Sequence, residues 1–429
     1  MRCSILLISA AITCLAAADD LTRIPLYRRW NKPDIRKESM IIDDGLLVAK
    51  VEVGTPAQTF PVLFNTDTSL TWVPSNKCHS SECKDHASYN SGASKSAVNL
   101  HSKKEVKFSQ GKCVDVELYK DTVTVAGLKV PNLLIGAAYS VTGIGDEHYL
   151  GMLGLGGYTD DGAVNLNVTG KRTSFGSHEI SARQFSGGSP GFAGGAFENG
   201  FGHADQMYGI AADSNGFYQK RWHEPQAQFI LGGIDHSLYK GEIAYMNLPT
   251  CDYGESRYWK THLKCVKLGK NGDIKIDIKL AHKALATFST GTDFISAPAK
   301  QADLLHKVIG AHYNNKTHTY QLKCCEAEKL PDLTFTFDGY QVTLPASIWT
   351  KKINDGKSRK GEEMCYTTIR RNTDEKNWTL GGSFLNNFYH IYDYGNKRLG
   401  LAELKGKSKA SIHKAGSRHN RSKKHTKKN

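Results

Sequence analysis

Two similar short segments, one in each half of the chain, contain the residues whose spacing could support paired chemistry. They read Phe64-Asn65-Thr66-Asp67-Thr68 and Phe288-Ser289-Thr290-Gly291-Thr292. A repeat this far apart predicts two similar lobes. If the lobes face each other, the two segments meet at a pseudo-twofold axis, with Asn65 opposite Ser289. Two carboxylates there could exchange protons with a substrate, whereas an amide and a hydroxyl cannot act as acid or base near neutral pH.

Two aspartates lie close to these positions in the sequence. Asp67 follows Asn65 by two residues, and Asp293 follows Ser289 by four. Two residues of extended backbone displace a side chain by roughly 5–7 Å, and a misplacement of about 1 Å is already costly for catalysis. The unequal offsets also break the symmetry that a pair of acids needs. We therefore expect Asp67 and Asp293 to be structural or surface acids.

The elements that must position these segments are predominantly β-strands. A β-like pattern runs from Glu38 to Val53, and short apolar runs separated by Gly, Asn, Asp and Pro follow it. These runs are Phe60–Phe64, Val106–Phe108, Asp121–Val125, Leu133–Ile135, Phe229–Leu231, Leu333–Phe337 and Phe388–Tyr392. The pattern predicts an all-β architecture. Ser296–Ile309 is the best helix candidate, and residues 171–204, rich in Gly, Ser and Phe, are expected to form a long irregular loop.

The ends and the cysteines of the 429-residue chain indicate export. Residues 1–18 have the pattern of a signal peptide, and no later apolar run is long enough to span a bilayer. Eight of the ten cysteines follow residue 18. An even number in an oxidising compartment favours disulfides over metal ligation, and we expect neither a metal nor a cofactor. Glycosylation sequons occur at Asn167, Asn315, Asn377 and Asn420.

The positive charge is concentrated at the C-terminus. The net charge is +14, and Lys405–Asn429 contains ten lysines and arginines with no acidic residue. We expect residues 405–429 to form a solvated, disordered tail. The alternative is attachment to an anionic surface such as a sulfated glycan or acidic lipid. The tail has no aromatic residues, which argues against sequence-specific nucleic-acid binding.

From about Glu38 to Ala402 the order and spacing of motifs resemble the pepsin-like aspartic proteases. The matching pieces are Ile42–Gln58, Phe64–Ser75, Gly151–Gly156, Leu231–Asp235, Tyr258–Trp259, Ser289–Pro298, Leu330–Asp332, Trp378–Gly382 and Gly400–Ala402. The resemblance implies two β lobes around a central cleft. The implied divisions are a signal peptide (1–18), a short basic prosegment-like region (19–37), an N-terminal lobe (38–215), a C-terminal lobe (216–404) and the tail.

The resemblance places Asn65 and Ser289 at the two catalytic aspartate positions. Members of the family use two facing carboxylates that share a proton and activate one water, so no catalytic residue is expected here. Thr66 and Thr290 match the threonines that cross-link the two turns. Further scaffold residues of the site are Thr68, Gly291 and Thr292.

Other family features are partly retained. The flap over the cleft matches Val106–Gly111, which includes Phe108, Ser109, Gln110 and Gly111. Phe108 replaces the flap tyrosine and is either a packing residue or an apolar lid. The implied disulfides are Cys78–Cys83 and Cys324–Cys365, whereas a Cys251–Cys265 pair is suggested by proximity alone.

The sequence therefore predicts a secreted, monomeric aspartic protease homologue that lacks both catalytic aspartates and binds a peptide or protein in its cleft. Two alternatives remain open. One is an active endopeptidase with a rearranged pair of acids, and the other is a protein that attaches to an extracellular matrix or anionic surface through its tail.

Overall fold

The computed structural model describes residues 34–108, 112–145, 148–157, 190–202, 205–212, 225–249, 259–270, 273–357, 361–406 and 409–415. The chain from Pro33 onward forms one compact unit. Its regular structure consists mostly of β-strands in two large sheets and one small sheet, which confirms the predicted all-β class. No helix in these ranges is long and apolar enough to cross a membrane.

The strands of the described residues are short, and most of them pair antiparallel. In chain order they are β1 (Arg36–Asp43), β2 (Leu46–Val53), β3 (Gln58–Asn65), β4 (Thr71–Pro74), β5 (Val98–Lys107), β6 (Cys113–Val125), β7 (Leu128–Thr142), β8 (Met152–Gly154), β9 (Met207–Ala212), β10 (Ala227–Leu231), β11 (Tyr239–Asn247), β12 (Lys260–Lys270), β13 (Asp273–Ile278), β14 (Leu285–Phe288), β15 (Ile295–Pro298), β16 (His312–Asn314), β17 (Thr319–Lys323), β18 (Asp332–Phe337), β19 (Tyr340–Leu344), β20 (Thr350–Lys357), β21 (Glu363–Thr367), β22 (Ile369–Asn372), β23 (Trp378–Leu380), β24 (Phe388–Asp393), β25 (Arg398–Leu404) and β26 (Ser411–Lys414).

Helices contribute little to the architecture. The α-helices are α1 (Phe192–Glu198), α2 (Ala299–Ile309), α3 (Cys324–Ala327), α4 (Ala346–Trp349) and α5 (Gly382–Leu385), and Ser81–Cys83 and Ser91–Ala93 form 3₁₀ turns.

The strands of the first lobe belong to a 13-stranded sheet, which also includes strands from the second half of the chain. Its order is β11-β25-β24-β9-β10-β1-β2-β3-β8-β4-β7-β6-β5. The strands at the join, β9 and β24, are buried at every position, as expected for strands covered on both faces. Their facing residues Tyr208 and Tyr392 stack with ring centroids 4.6 Å apart. The two lobes are therefore joined by backbone hydrogen bonds and aromatic packing.

The second lobe is built on a nine-stranded sheet and a four-stranded sheet. The main path of the larger sheet is β22-β15-β23-β14-β12-β18-β19-β26, with β13 paired to β12, and the smaller sheet has the order β16-β17-β21-β20. The alternation of apolar and polar residues explains strands such as β18, where Leu333, Phe335 and Phe337 are buried and the residues between them are half-buried.

The helix prediction at Ser296–Ile309 is correct for most of its length. Residues up to Pro298 instead extend β15, and α2 begins at Ala299. The helix ends because Gly310 adopts a left-handed conformation with a φ of 73°, a conformation that glycine accepts without steric cost.

The loop prediction for residues 171–204 is wrong for part of the described stretch, which covers residues 190–202. Residues 192–198 form α1, whose apolar side chains Phe192, Ala196 and Phe197 are buried. The high glycine content concealed this helix. Gly194 and Gly195 lie against other residues so closely that an added Cβ would come within 3.0 Å of Pro190 and Leu133, respectively.

The two ends of the body also differ from the predicted divisions. Strand β1 begins at Arg36 and pairs with β10, so the last residues of the prosegment-like region belong to the sheet. Within the tail predicted to be disordered, Ser411–Lys414 forms β26 along the edge of β19. The apolar pair Val342 and Ile412 faces across this edge. Residues 1–33 and 416–429 lie outside the described residues.

Candidate functional site

Each of the two repeated segments is the turn between a pair of buried strands. In the first lobe the turn follows β3 and leads into β4, and β8 runs parallel to β3 so that Phe64 pairs with Leu153. In the second lobe the turn follows β14 and leads into β15, and β23 runs parallel to β14 so that Phe288 pairs with Leu380. The two turns are therefore held by equivalent arrangements of three strands.

Threonine hydroxyls cross-link the two turns. The Oγ1 of Thr66 donates to the carbonyl of Phe288 at 2.8 Å and accepts from the backbone N–H of Thr290 at 3.1 Å. The Oγ1 of Thr290 donates to the carbonyl of Phe64 at 2.6 Å and accepts from the N–H of Thr66 at 3.1 Å. Both threonines are buried. The sequence-based match of these threonines thus corresponds to four hydrogen bonds across the pseudo-twofold axis.

A second pair of threonines shapes each turn locally. The hydroxyl of Thr68 accepts from the N–H of Leu70 at 3.1 Å, and that of Thr292 accepts from the N–H of Phe294 at 3.2 Å. The carbonyls of the same threonines accept from Gly156 and Gly382, each at 2.8 Å. Side-chain hydroxyls commonly stabilise turns through such bonds. These contacts fix the backbone on both sides of the axis.

The side chains at the two axis positions cross over to the opposite turn. The amide of Asn65 lies against Gly291, where an added Cβ would come within 2.6 Å of the Asn65 oxygen. Across the axis, the hydroxyl of Ser289 donates to the carboxylate of Asp67. A large residue therefore faces glycine in one contact, and a small residue faces aspartate in the other. The φ of Gly291 lies outside the left-handed region, so the backbone conformation does not demand glycine at this position. Glycine is required there because a Cβ would collide with Asn65.

Asp67 lies closer to the axis than two residues of extended chain would place it. Its backbone N–H donates to Asn65 Oδ1 at 2.8 Å, so the chain folds back within a tight turn. The displacement expected for an extended chain does not apply there, and the half-buried carboxylate reaches Ser289. One signal in the sequence was overlooked. Asp67 occupies the position that corresponds to Gly291 in the second segment, and the smaller axis residue, Ser289, lies in the segment opposite Asp67.

Asn65 is itself enclosed. It is 5 % exposed, its Nδ2 contacts the sulfur of Met152 at 3.2 Å, and its Oδ1 accepts from Asp67. Ser289 is fully buried. Both axis residues are thus held by neighbouring groups, and the acceptor role of Oδ1 orients the amide.

Asp293 is buried and forms an ion pair with Lys351, whose side chain is one-third exposed. Its Oδ2 accepts from Lys351 Nζ at 2.7 Å and its Oδ1 from Ser383 Oγ at 3.1 Å. Burial raises the pKa of Asp293, although the positive charge of Lys351 opposes this shift. Gly45, in the turn between β1 and β2, lies directly on this carboxylate. The side chain is therefore engaged by the second lobe and by the first hairpin.

Two buried tyrosines, Tyr208 and Tyr392, are titratable groups close enough to the first turn to interact with Asp67. Burial raises the pKa of Tyr208 and of Tyr392, and the negative charge of Asp67 adds to both shifts. A tyrosine with a raised pKa holds its proton throughout the physiological range. Among the described residues no group of three or more His, Cys, Asp or Glu side chains could hold a metal ion.

The flap prediction falls only partly on described residues. β5 and β6 form a hairpin, and the N–H of Phe108 donates to the carbonyl of Lys112 at 2.8 Å next to its tip. Phe108 packs against the apolar cluster that contains Trp72 and Met152. Within the described part of the chain, the buried indole N–H of Trp72 has no hydrogen-bond partner. Ser109, Gln110 and Gly111 lie outside the described residues.

The structure contains the disulfides Cys78–Cys83 and Cys324–Cys365, so the expectation of disulfide bonds is confirmed. Cys265 is a free thiol that donates to Asp277 Oδ1 at 3.1 Å. Its proposed partner, Cys251, lies outside the described residues.

Only two of the four sequons are described. Asn315 is exposed, and Asn377 is half-buried. Asn167 and Asn420 lie outside the described residues.

Comparison with known proteins agrees with this architecture. The family model for eukaryotic aspartyl proteases matches residues 47–186 and 192–404. The chain is 26 % identical to bovine (Bos taurus) pregnancy-associated glycoprotein 1 over 84 % of its length and 82 % of that protein. It is 25 % identical to embryonic pepsinogen of Gallus gallus over 92 % of its length and 99 % of that protein. It is also 27 % identical to pepsin A of Suncus murinus over 82 % of its length and 80 % of that protein. The chain belongs to the eukaryotic aspartyl protease family.

Proposed function

We propose that this protein is a secreted, non-catalytic member of the family that binds an extended peptide or protein segment between its lobes. The observation that carries the proposal is the composition of the axis. Its two paired positions hold Asn65 and Ser289, and the remaining carboxylate, Asp67, is the hydrogen-bond acceptor of Ser289.

The reaction of the family requires two carboxylates of different protonation state on either side of one water. Asp67 can supply only one of them. The next acid in the second turn, Asp293, is bound by Lys351 and Ser383. An amide cannot accept a proton from water near neutral pH, and neither can a hydroxyl. These contacts favour a non-catalytic site over a rearranged pair of acids.

Loss of the acids leaves the usual basis of peptide binding in place. An extended ligand is held mainly through backbone hydrogen bonds and pockets for alternate side chains, neither of which depends on a catalytic carboxylate. The four threonine bonds keep the floor of the site rigid, and preorganisation of this kind reduces the entropic cost of binding.

A cleavage assay tests the proposal. The full-length secreted protein is incubated with unfolded casein between pH 2 and pH 7, with and without pepstatin. We expect no pepstatin-sensitive cleavage. Cleavage that pepstatin inhibits and that Asp67→Ala abolishes would instead establish the rearranged active protease.

A matched variant makes a negative result informative. Asn65→Asp, Asp67→Gly and Ser289→Asp together restore two facing acids and remove the carboxylate that would crowd the new one. We expect this triple variant to cleave casein at acid pH. Ser289→Asp alone places two carboxylates in contact and should remain inactive. If a folded triple variant is inactive, the peptide-binding surface itself differs from that of active members.

Binding is measured separately. A synthetic array of extended decapeptides is probed with the wild-type protein at pH 7. We expect saturable binding of a subset of sequences, competed by pepstatin because both occupy the same groove. Binding that pepstatin does not affect would place the ligand elsewhere.

The basic tail supports a second candidate function, attachment to an anionic surface. The structure changes how this is tested, because truncation after Leu404 would also delete β26 from the sheet. Truncation after Ala415 preserves β26 and removes most of the basic residues. Salt-sensitive retention on heparin that is lost on this truncation supports tail-mediated attachment, and unchanged retention excludes it.

A further inference from the structure

A second concave surface lies on the C-terminal lobe and contains none of the axis residues. It is an open groove of about 820 Å³ bordered by the end of α2, the β16–β17 hairpin and β21. Its apolar lining comes from Ile309, Leu322, Leu330 and Met364. A groove of this size and composition is in the range that binds small ligands.

The charged groups of this groove are compatible with a neutral occupant. Lys323 Nζ is paired with Glu362 Oε1 at 2.9 Å, and Glu326 also lines the groove. The remaining polar lining comes from side chains such as Asn314 and Gln321, which form a hydrogen bond with each other at 3.3 Å. A ligand with both hydroxyls and apolar C–H surface matches such a lining better than a charged ligand does.

Asn315 lies at the edge of the same groove. It is in the exposed turn between β16 and β17, and Thr317 completes its sequon. Asn314 Oδ1 accepts from the N–H of Lys316 at 2.9 Å and so holds the turn in place. Within the described residues, no hydrogen bond engages the side chain of Asn315. Its amide is therefore accessible for modification.

Tyr313, two residues before Asn315, also lines the groove. The guanidinium of Arg371 lies 3.7 Å from its ring centroid, and its hydroxyl contacts His318 Nδ1 at 3.2 Å. These contacts hold the ring beside the point at which a substituent on Asn315 would begin. An aromatic ring gives the apolar face of a sugar a flat surface to pack against.

The sequon at Asn377 provides the contrast. Its Oδ1 accepts from the N–H of Leu285 at 3.0 Å, and its Nδ2 donates to Asp374 Oδ2 at 2.9 Å. The next residue, Trp378, is fully buried in β23. A substituent would have to be accommodated at a nitrogen that is held against Asp374 on a half-buried side chain, so Asn377 is less open to modification than Asn315.

We infer that Asn315 carries an N-linked glycan whose first sugar residue lies in the groove beside Tyr313. In the modification, the amide nitrogen forms a bond to the anomeric carbon of N-acetylglucosamine. The bond from that carbon to a lipid-linked diphosphate breaks, the lipid diphosphate leaves, and the nitrogen loses one proton. The donor is a lipid-diphosphate oligosaccharide of the secretory pathway. The inference thus rests on the proposed secretion.

Mass mapping tests the modification. The full chain is expressed in a secreting eukaryotic cell line, and glycans are released by an amidase in ¹⁸O-labelled water, which marks each occupied asparagine. We expect the label at Asn315 in the secreted protein and no label at Asn377. Secreted protein without label at Asn315 overturns the inference while leaving the proposed secretion intact. Protein found only inside the cells would contradict the secretion instead.

Thermal unfolding tests the location of the glycan. We expect Asn315→Gln to lower the Tm by about 2 °C, whereas trimming the wild-type glycan to a single N-acetylglucosamine should leave the Tm unchanged. Thr317→Ser retains the sequon and is the matched control. In a Tyr313→Leu background, Asn315→Gln should cause no further decrease.

If Tyr313→Leu does not fold, Met364→Gln on the groove wall allows the same comparison. A Tm unaffected by Asn315→Gln, or an effect that persists in both groove variants, would show that the glycan extends into solvent.

Discussion

The two turns of the site have the same framework and opposite side-chain packing. In the first turn the axis residue, Asn65, is large, and it lies against glycine in the second turn. In the second turn the axis residue, Ser289, is small, and it donates to Asp67 in the first turn. The framework around both is nearly identical, since Thr66 and Thr290 make the same pair of bonds in each direction.

This difference separates what the fold needs from what the chemistry needs. The backbone of each turn is fixed by threonine hydroxyls, buried phenylalanines and a parallel strand, none of which involves a carboxylate. The side chains at the axis have to fill the space between the two turns. Here Asn65 fills it opposite Gly291, and Asp67 fills it opposite Ser289. Replacement of the acids is therefore compatible with an intact site, and Asp67 is part of the packing.

The largest expected effect distinguishes the two acids of the turns. Asp293→Ala leaves Lys351 without the partner of its ion pair, and because the lysine side chain is one-third exposed we expect a cost of about 3 kcal/mol, the lower end of the range for buried pairs. Asp67→Ala removes one half-buried acceptor and should cost about 1 kcal/mol. Chemical denaturation of both variants measures the difference. The double variant Asp293→Ala, Lys351→Met should recover much of the loss, and equal costs for the two acids would refute their separate roles.

The second effect is a pH dependence that originates in buried histidines. Burial lowers the pKa of His390 to about 3 and that of His306 to about 4. Each is therefore neutral in the folded protein, while the unfolded chain binds a proton below about pH 6.5. The contribution to stability is fully present above about pH 6.5 and is lost as the pH falls toward the folded pKa. For His390 this loss is about 3 kcal/mol at pH 4.

Unfolding curves between pH 4 and pH 7 check this prediction. His390 lies in β24 at the join between the lobes, where its Nδ1 contacts the hydroxyl of Tyr392 at 3.0 Å. His390→Thr should flatten the pH dependence, and His306→Gln, in α2 of the second lobe, should flatten it less. An unchanged slope in His390→Thr would show that other groups control the acid sensitivity. A protein that loses stability in acid is poorly suited to proteolysis at low pH, which agrees with the proposed function.

The third effect tests the symmetry of the framework. Thr66→Val and Thr290→Val each retain the shape of the side chain and remove one donor and one acceptor across the axis. Each should cost about 2 kcal/mol because buried backbone groups lose their partners, and the two costs should be similar. Thr→Ser at either position should restore most of the stability. A clear difference between the denaturation midpoints of Thr66→Val and Thr290→Val would mean that the hydrogen bonds of one threonine hold the two turns together more strongly than those of the other.

Much of this arrangement was predictable from sequence, and the reasons for the failures are specific. The repeated segments and the short apolar runs predicted two lobes of the all-β class, because strands and turns have strong local signals. The resemblance of the motifs from Ile42 to Ala402 to the pepsin-like aspartic proteases implied the fold and both turns. The reach of Asp67 was missed because the sequence does not show how tightly a turn folds back.

The other failures involve tertiary contacts. Helix α1 was missed because its glycines, which usually indicate loops, here allow close packing against Pro190 and Leu133. Strand β26 was missed because its composition is that of a disordered tail and its stability comes from pairing with β19. In both cases a long-range contact overrides the local propensity.

The smallest expected effect tests the crosswise packing directly. The contact of Ser289 with Asp67 is attractive, so a double-mutant cycle of Ser289→Ala and Asp67→Asn should give a favourable coupling of about 1 kcal/mol. The contact of Asn65 with Gly291 is steric. Gly291→Ala should therefore cost about 1–2 kcal/mol in the wild type, and less in an Asn65→Ser background, where the smaller side chain makes room. Denaturant titrations of the six variants measure both cycles. A Gly291→Ala cost that stays the same in the Asn65→Ser background would show that these two residues do not share a space, and a Ser289–Asp67 coupling near zero would show that their hydrogen bond does not stabilise the turns.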